Sequence, residues 1–324
     1  MSKRIILAVI MAIIAFTQAY AAELMQLVPQ NAGFVVKINV EKLLSSPEVK
    51  AYIEKTISEH PKEYAECKAK SGLDPLKDVS KVVFFMPNNF ENNKDDMPSA
   101  AIIEGKFDIN KLKQSIKETP DSLELSEEDG FTVGIYTYKD KKSQKELKSK
   151  MAIIDNETIA FGTENGTNCV MAVKNNQMKN LTTESGFYQT ATNLNNEAHV
   201  GAAIILPQSI KEMMASKKDT EPISKISYVS LEVTKNKEFD IVIKGDVTNS
   251  GDAEPAQNVI KQFIEGVKAM QAPYAALKDF VRNMKTSVSG KTIRITSSIS
   301  QEAIDRLIAT KGAPEITSPS KKVK

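Results

Sequence analysis

The sequence predicts an α+β protein that consists of two tandem repeats of roughly β-α-β-β-α-β-β-α, with antiparallel sheets and with the helices on one face. Two observations predict this class. An apolar run rich in β-branched residues passes directly into a helical pattern four times along the chain. Strand patterns also follow each other closely, separated by short polar turn sequences, as hairpins of antiparallel sheets do.

The four strand-to-helix units form two pairs, and the pattern between the members of each pair is similar. In each half a strand is followed by a helix, a strand pair, a second helix and a further strand pair, which favours a duplication. The four units cover residues 33–57, 100–116, 200–214 and 292–308. Further strands are predicted at 81–87, 99–107, 132–139, 150–154, 158–162, 226–234, 239–247, 286–289 and 291–299.

Helix start signals support this layout. Ser46 precedes Pro47 and Glu48, so a capping hydroxyl stands before a proline at the first helical position. Asp108 and Ser300 can cap their helices in the same way. The longest helical pattern runs over 255–284, and Pro273 should break or kink it.

The composition of local segments predicts where the domains begin and end. Residues 1–21 are predicted to be a signal peptide, 22–180 the first α+β repeat and 181–311 the second, with a disordered basic tail at 312–324. The segment 175–197, rich in Asn and Thr, is the predicted linker between the repeats.

The first residues have the order of a secretory signal peptide. Lys3 and Arg4 precede an apolar run over 5–16, and Ala19-Tyr20-Ala21 supplies small residues for cleavage between Ala21 and Ala22. The apolar run is shorter than the roughly 20 residues that a helix needs to cross a bilayer. We therefore expect a periplasmic or secreted protein with no transmembrane anchor after cleavage.

The charge balance argues against nucleic acid as a partner. The chain has 43 basic and 41 acidic residues, and Lys3 and Arg4 leave with the predicted signal peptide. The remaining charges cancel, whereas nucleic-acid-binding proteins need a concentrated basic surface.

Two cysteines, Cys67 and Cys169, could form a disulfide in an oxidising compartment. Cys169 also lies on an apolar helix face with Val170 and Val173, so a buried thiol is the alternative.

Gly290-Lys291-Thr292 resembles the end of a phosphate-binding loop. A true loop needs a glycine five positions before this Gly-Lys pair, where Lys285 stands, and a helix after it, where an alternating strand pattern follows. The sequence therefore predicts a tight turn at Ser289-Gly290.

No residue pattern names a reaction, a metal or a cofactor. His60 and His199 have no second ligand at metal-binding spacing, and the acidic clusters lack the alternation of a calcium loop. We predict no catalytic, metal or cofactor site. The alternative is a hydrolase whose site is assembled from scattered carboxylates around Asp95, Asp96 or Glu128.

One apolar stripe, formed by Phe263, Ile264, Val267 and Met270, could line a groove for an apolar ligand or a partner protein. Core packing of an amphipathic helix is the simpler interpretation of the same stripe.

The segment LVPQNAGFVVKINVEKLLSSPEV at 27–49 resembles the opening of uncharacterised secreted proteins of Gram-negative bacteria, and AAIIEGKFDINKL at 100–112 is similar to a second segment of them. The resemblance implies an exported envelope protein and transfers no catalytic residue. We therefore expect a non-enzymatic envelope or secreted protein that binds a macromolecular partner or an apolar ligand. A hydrolase and a purely structural envelope scaffold are the alternatives.

Overall fold

The computed structural model describes residues 24–88, 97–118, 123–139, 146–181, 186–195, 198–269 and 280–304. The predicted signal peptide, its cleavage site at Ala21 and Ala22, the predicted basic tail, Asp95, Asp96 and Met270 lie outside these residues.

A single antiparallel sheet of twelve strands organises the described chain. From edge to edge the strand order is β11-β12-β10-β9-β8-β1-β2-β3-β7-β6-β5-β4. β1, near the middle of the sheet, pairs with β8 on one side and with β2 on the other. The strands are β1 Ala32–Asn39, β2 Val79–Pro87, β3 Ala100–Gly105, β4 Leu123–Glu128, β5 Phe131–Lys139, β6 Glu146–Ile153, β7 Thr158–Thr163, β8 Val200–Ile205, β9 Ile226–Lys235, β10 Phe239–Val247, β11 Lys285–Ser289 and β12 Thr292–Ile299.

Among the described residues are nine α-helices, short 3₁₀ helices at Glu221–Lys225 and Ser250–Asp252, and further helical residues at 280–282 and 301–304. The predicted caps are present: the Ser46 side chain accepts from the Val49 N–H, and Ser300 accepts from Ala303. The helices are α1 Val40–Ser45, α2 Pro47–Glu59, α3 Pro61–Ser71, α4 Pro75–Asp78, α5 Ile109–Glu118, α6 Glu164–Lys174, α7 Gly186–Thr192, α8 Gln208–Ala215 and α9 Ala253–Ala269.

The two faces of the sheet are covered differently. Successive strand residues point to opposite faces, so Val35 and Phe85 lie on one face, and Val36 and Phe84 on the other. We call these the closed face and the open face. The closed face carries the largest buried cluster, to which α6, α7 and the segment 24–28 contribute Val170, Met171, Phe187, Ala191, Leu24, Met25 and Val28.

The open face is covered in separate patches. α1 and α2 pack over Ile38 and Val82, α5 packs over Ile153 and Ile159, and α9 packs over Ile293. The prediction that all helices lie on one face is therefore wrong. The central strands have apolar side chains on both faces, and each face needs cover from water.

The strand prediction is otherwise close, and β10 lies at the predicted residues 239–247. β4 was not predicted, although Asp129-Gly130 is a strong hairpin signal: φ is 50° and 85°, as a two-residue type I′ turn requires. The helical pattern over 40–57 is two helices separated at Ser46. α9 ends at Ala269, and the chain is helical again at 280–282, with Pro273 outside the described residues.

Candidate functional site: an apolar row on the open face

A row of apolar side chains runs across the open face at right angles to the strands. Its members stand directly opposite one another in register, so they form one continuous line over nine strands. We call this line the apolar row, and its residues are Met151, Phe161, Ala101, Phe84, Val36, Ala202, Leu231, Ile243 and Ile295.

The apolar row is only partly covered. Phe161 is 45% exposed, and the other eight residues are partly exposed. Among the described residues, Met151, Ala101 and Val36 pack against buried clusters at the margins of the open face. The other six take part in none of these clusters. A strip of apolar surface therefore remains between the helices.

The strip lies between two groups of helices. α1 and α2 follow β1, which ends at one side of the sheet, whereas α8 follows β8, which runs the opposite way and ends at the other side. Seven strand spacings separate β7 from β12, and at about 4.8 Å each the strip from Phe161 to Ile295 is about 34 Å long. This length suits an extended ligand.

α8 adds partly exposed apolar surface at one margin of the strip. None of its residues is buried, and Met213 is 60% exposed. Ile210 and Met214 are partly exposed. This helix packs beside the 3₁₀ helix Glu221–Lys225, which lies between it and α9.

The stripe predicted on α9 does not form one lining. Ile264 is buried, Val267 is partly exposed, and Phe263 is 71% exposed on another side of the helix. Met270 lies outside the described residues. The apolar row was missed because its members come from nine separate strands. Only the pairing register brings them together.

The closed face differs because it carries buried charges. The Lys150 ammonium, on a side chain only 2% exposed, donates to a carboxylate oxygen of Glu128 at 2.5 Å and to the side-chain oxygen of Asn168 at 2.7 Å. Lys81 forms an ion pair with Glu104. These partners compensate part of the cost of removing each charge from water.

Lys37 lies at the centre of the closed face between Val83 of β2 and Gly201 of β8. Burial lowers its pKa from 10.5 to about 8, while the negative charge of Glu232 acts in the opposite direction. Glu232, on the strand next to Gly201, is itself bound at 2.6 Å by Lys244 and at 3.2 Å by the Asn195 N–H.

The described carboxylates give little support to a hydrolytic site. Glu128 of the predicted cluster is bound to Lys150, and Asp95 and Asp96 lie outside the described residues. A cleft beside the C-terminal end of α6 is lined by Glu104, Asp155 and Lys174, among others, but Asp155 and Lys174 form an ion pair at 3.1 Å.

The histidines occupy structural positions. His60 separates α2 from α3, and the buried His199 accepts the Lys235 N–H at its Nδ1 atom, 3.0 Å away. Within the described ranges, no three His, Cys, Asp or Glu side chains converge as metal ligands would.

Of the two alternatives for the cysteines, the structure has the free thiol at Cys169 and not the disulfide with Cys67. Cys169 is a free thiol, and burial raises its pKa. Its helix, α6, packs on the closed face, whereas α3, which carries Cys67, lies beside α5 on the open face. The sheet therefore separates the two helices, and a disulfide needs Cα atoms within about 7 Å of each other.

The Gly-Lys-Thr segment is a turn, as predicted. Gly290 has a φ of 58°, and the two-residue loop Gly290-Lys291 joins β11 to β12. A strand follows where a phosphate-binding loop would lead into a helix.

No family model and no curated protein matches the chain. Two solved structures of TP0453 are similar over 88% of this chain and 96% of theirs. Crystal form I has 10% identity and a TM-score of 0.46, and crystal form IV has 12% and 0.44. Similarity at this level carries no argument about function. Among the described helices, none is long and apolar enough to cross a membrane.

Proposed function

We propose that this chain is an exported, non-enzymatic binding protein of the bacterial envelope or exterior, and that the apolar row receives an apolar ligand. The observation that carries the proposal is the part of the apolar row from Phe161 to Ile295, in which six of the eight side chains belong to no buried cluster of the described residues. A continuous, partly exposed apolar surface on a protein is typical of a binding site.

The arrangement of the strands supports a duplicated origin for this surface. We propose that residues 22–180 and 181–311 are the two repeats, with β1 and β8 as their first strands. β2, β3 and β7 follow β1 in the sheet, and β9, β10 and β12 follow β8. In this interpretation the β4–β5 hairpin is an addition to the first repeat, and the apolar row crosses both repeats.

Binding of an apolar fluorescent probe tests the proposed function. Phe161→Ala removes the most exposed ring of the apolar row and should weaken binding of 1-anilinonaphthalene-8-sulfonate about ten- to a hundredfold, since each buried aromatic ring contributes on the order of 1.5–3 kcal/mol. Phe263→Ala removes an equally large exposed ring outside the row and serves as the matched control.

The outcomes separate the two candidate surfaces. Equal loss in both variants, or loss only in the Phe263 variant, would contradict the assignment to the apolar row. The second result would instead favour the groove predicted on α9. Native mass spectrometry of protein purified from its own envelope then tests whether an apolar molecule is retained.

A further inference from the structure

The two edges of the sheet carry opposite charges. β4 forms one edge and has Glu127 and Glu128 followed by Asp129 in the turn. β11 forms the other edge and begins with the exposed Lys285, while exposed Arg294 lies on the neighbouring β12.

Both edges are open in the described part of the chain. β4 pairs only with β5, and β11 only with β12. Within the described residues, no backbone hydrogen bond joins the outer side of either strand to another segment. An open strand edge is a template for pairing with another strand.

We propose that the acidic β4 edge of one molecule pairs with the basic β11 edge of a second copy of this chain. Each of the twelve strands is antiparallel to its neighbours, so the even strand number makes β4 and β11 antiparallel to each other. A second copy in the same orientation therefore continues the alternation and keeps the open face on the same side.

One pairing register between β4 and β11 brings complementary side chains together on both faces of the sheet. Opposing Glu128 with Lys285 on the closed face brings two opposite charges together, and the same register opposes Leu125 with Val288 on the open face. Ser126 then stands opposite Ser287. Glu128 is 38% exposed, so its carboxylate is accessible to a second cation besides Lys150.

The same charges oppose pairing of identical edges. If two β4 strands paired about Ser126, residues 124 and 128, both Glu, would stand opposite each other, and like charges destabilise such pairs. The favoured contact joins two different surfaces. Contacts of this kind form open chains of molecules unless the rotation between copies closes a ring.

Sedimentation velocity of the purified protein, over about a hundredfold range of concentration, tests the proposal. We expect the mean mass to rise with concentration and to fall when salt screens the edge charges. Lys285→Glu should weaken association about tenfold, because it places a carboxylate opposite Glu128. Lys261→Glu makes the same change of charge at an exposed position of α9, and this control variant should associate like the wild type.

A mixing experiment tests the head-to-tail geometry. The Lys285→Glu variant keeps its β4 edge, so it should cap the free β11 edge of wild-type chains and lower their mean mass more than an equal amount of buffer does. A strictly monomeric wild type, a dimer that does not grow with concentration, or equal association of the Lys285 and Lys261 variants would each overturn the proposal. None of these outcomes depends on ligand binding at the apolar row.

Discussion

The two faces of the sheet are made from the same strands, yet helices cover them to different extents. The closed face is densely covered by α6 and α7, and small residues such as Ala152, Ala160 and Ala203 allow this close approach. The open face is covered at its margins and leaves the apolar row partly exposed. We infer that the closed face provides most of the stability and that the open face provides the binding surface.

The most direct way to test this comparison is a pair of neighbouring residues on β2. Phe85 on the closed face is 1% exposed, whereas Phe84 on the open face is partly exposed. Phe85→Ala should lower the free energy of unfolding by about 3–5 kcal/mol, and Phe84→Ala by clearly less, because only the first substitution leaves a sealed cavity. Urea denaturation of both variants gives the two values. Equal losses would show that the open face is a core surface as well.

Lys37 sharpens the comparison because its partly buried charge lies on the closed face. Its folded-state pKa of about 8 lies below the ordinary 10.5, so between these two pH values the unfolded state binds more protons. The contribution of Lys37 to stability should therefore rise as the pH increases from about 8 to 10.5. Over this pH range, the contribution of Lys37 to the free energy of unfolding should change by at most about 3 kcal/mol.

The measurement is the difference between wild type and Lys37→Met in urea denaturation across this pH range. The Met variant should be more stable at neutral pH, and its advantage should shrink as the pH rises. Lys37→Arg keeps the charge at every pH in this range and should be less stable than wild type near pH 10. An advantage of the Met variant that does not change with pH would rule out a buried, titrating Lys37.

A smaller effect is expected from the ion pair at the acidic end of the closed face. Glu128→Gln removes the charge that accompanies the buried Lys150 ammonium and should cost about 1–3 kcal/mol. Glu221→Gln breaks the pair with Lys225, in which both side chains are about half exposed, and should leave thermal unfolding unchanged. Similar shifts in both variants would mean that burial of Lys150 has little energetic effect.

Much of the local structure followed from the sequence. Alternating apolar residues predicted most strands, and Ser46, Asp108 and Ser300 marked helix starts because their side chains accept otherwise unpaired backbone N–H groups. The Asp129-Gly130 dipeptide also predicts a hairpin turn, but the strand before it, β4, was not predicted. Because β4 is an edge strand, the prediction missed one edge of the sheet.

The candidate site was not predictable in the same way. The prediction assigned it to Phe263, Ile264, Val267 and Met270 because helical spacing makes such a stripe visible in one segment. Phe161 and Leu231 lie on one line only because five successive strand pairings, from β7 to β9, have matching registers. Such registers depend on contacts between distant segments, which periodicity in a single strand does not encode.

The sequence alone determined the alternation of strands and helices, the turn at Gly290 and the opposite charges of β4 and β11, since each depends on residues close together in the chain. The tertiary structure decided that Cys67 and Cys169 lie on helices at opposite faces, that Phe85 is buried while Phe84 is not, and that the two charged strands form the two edges. These features depend on which strands pair and which face each helix covers, and both are fixed by packing between segments far apart in sequence.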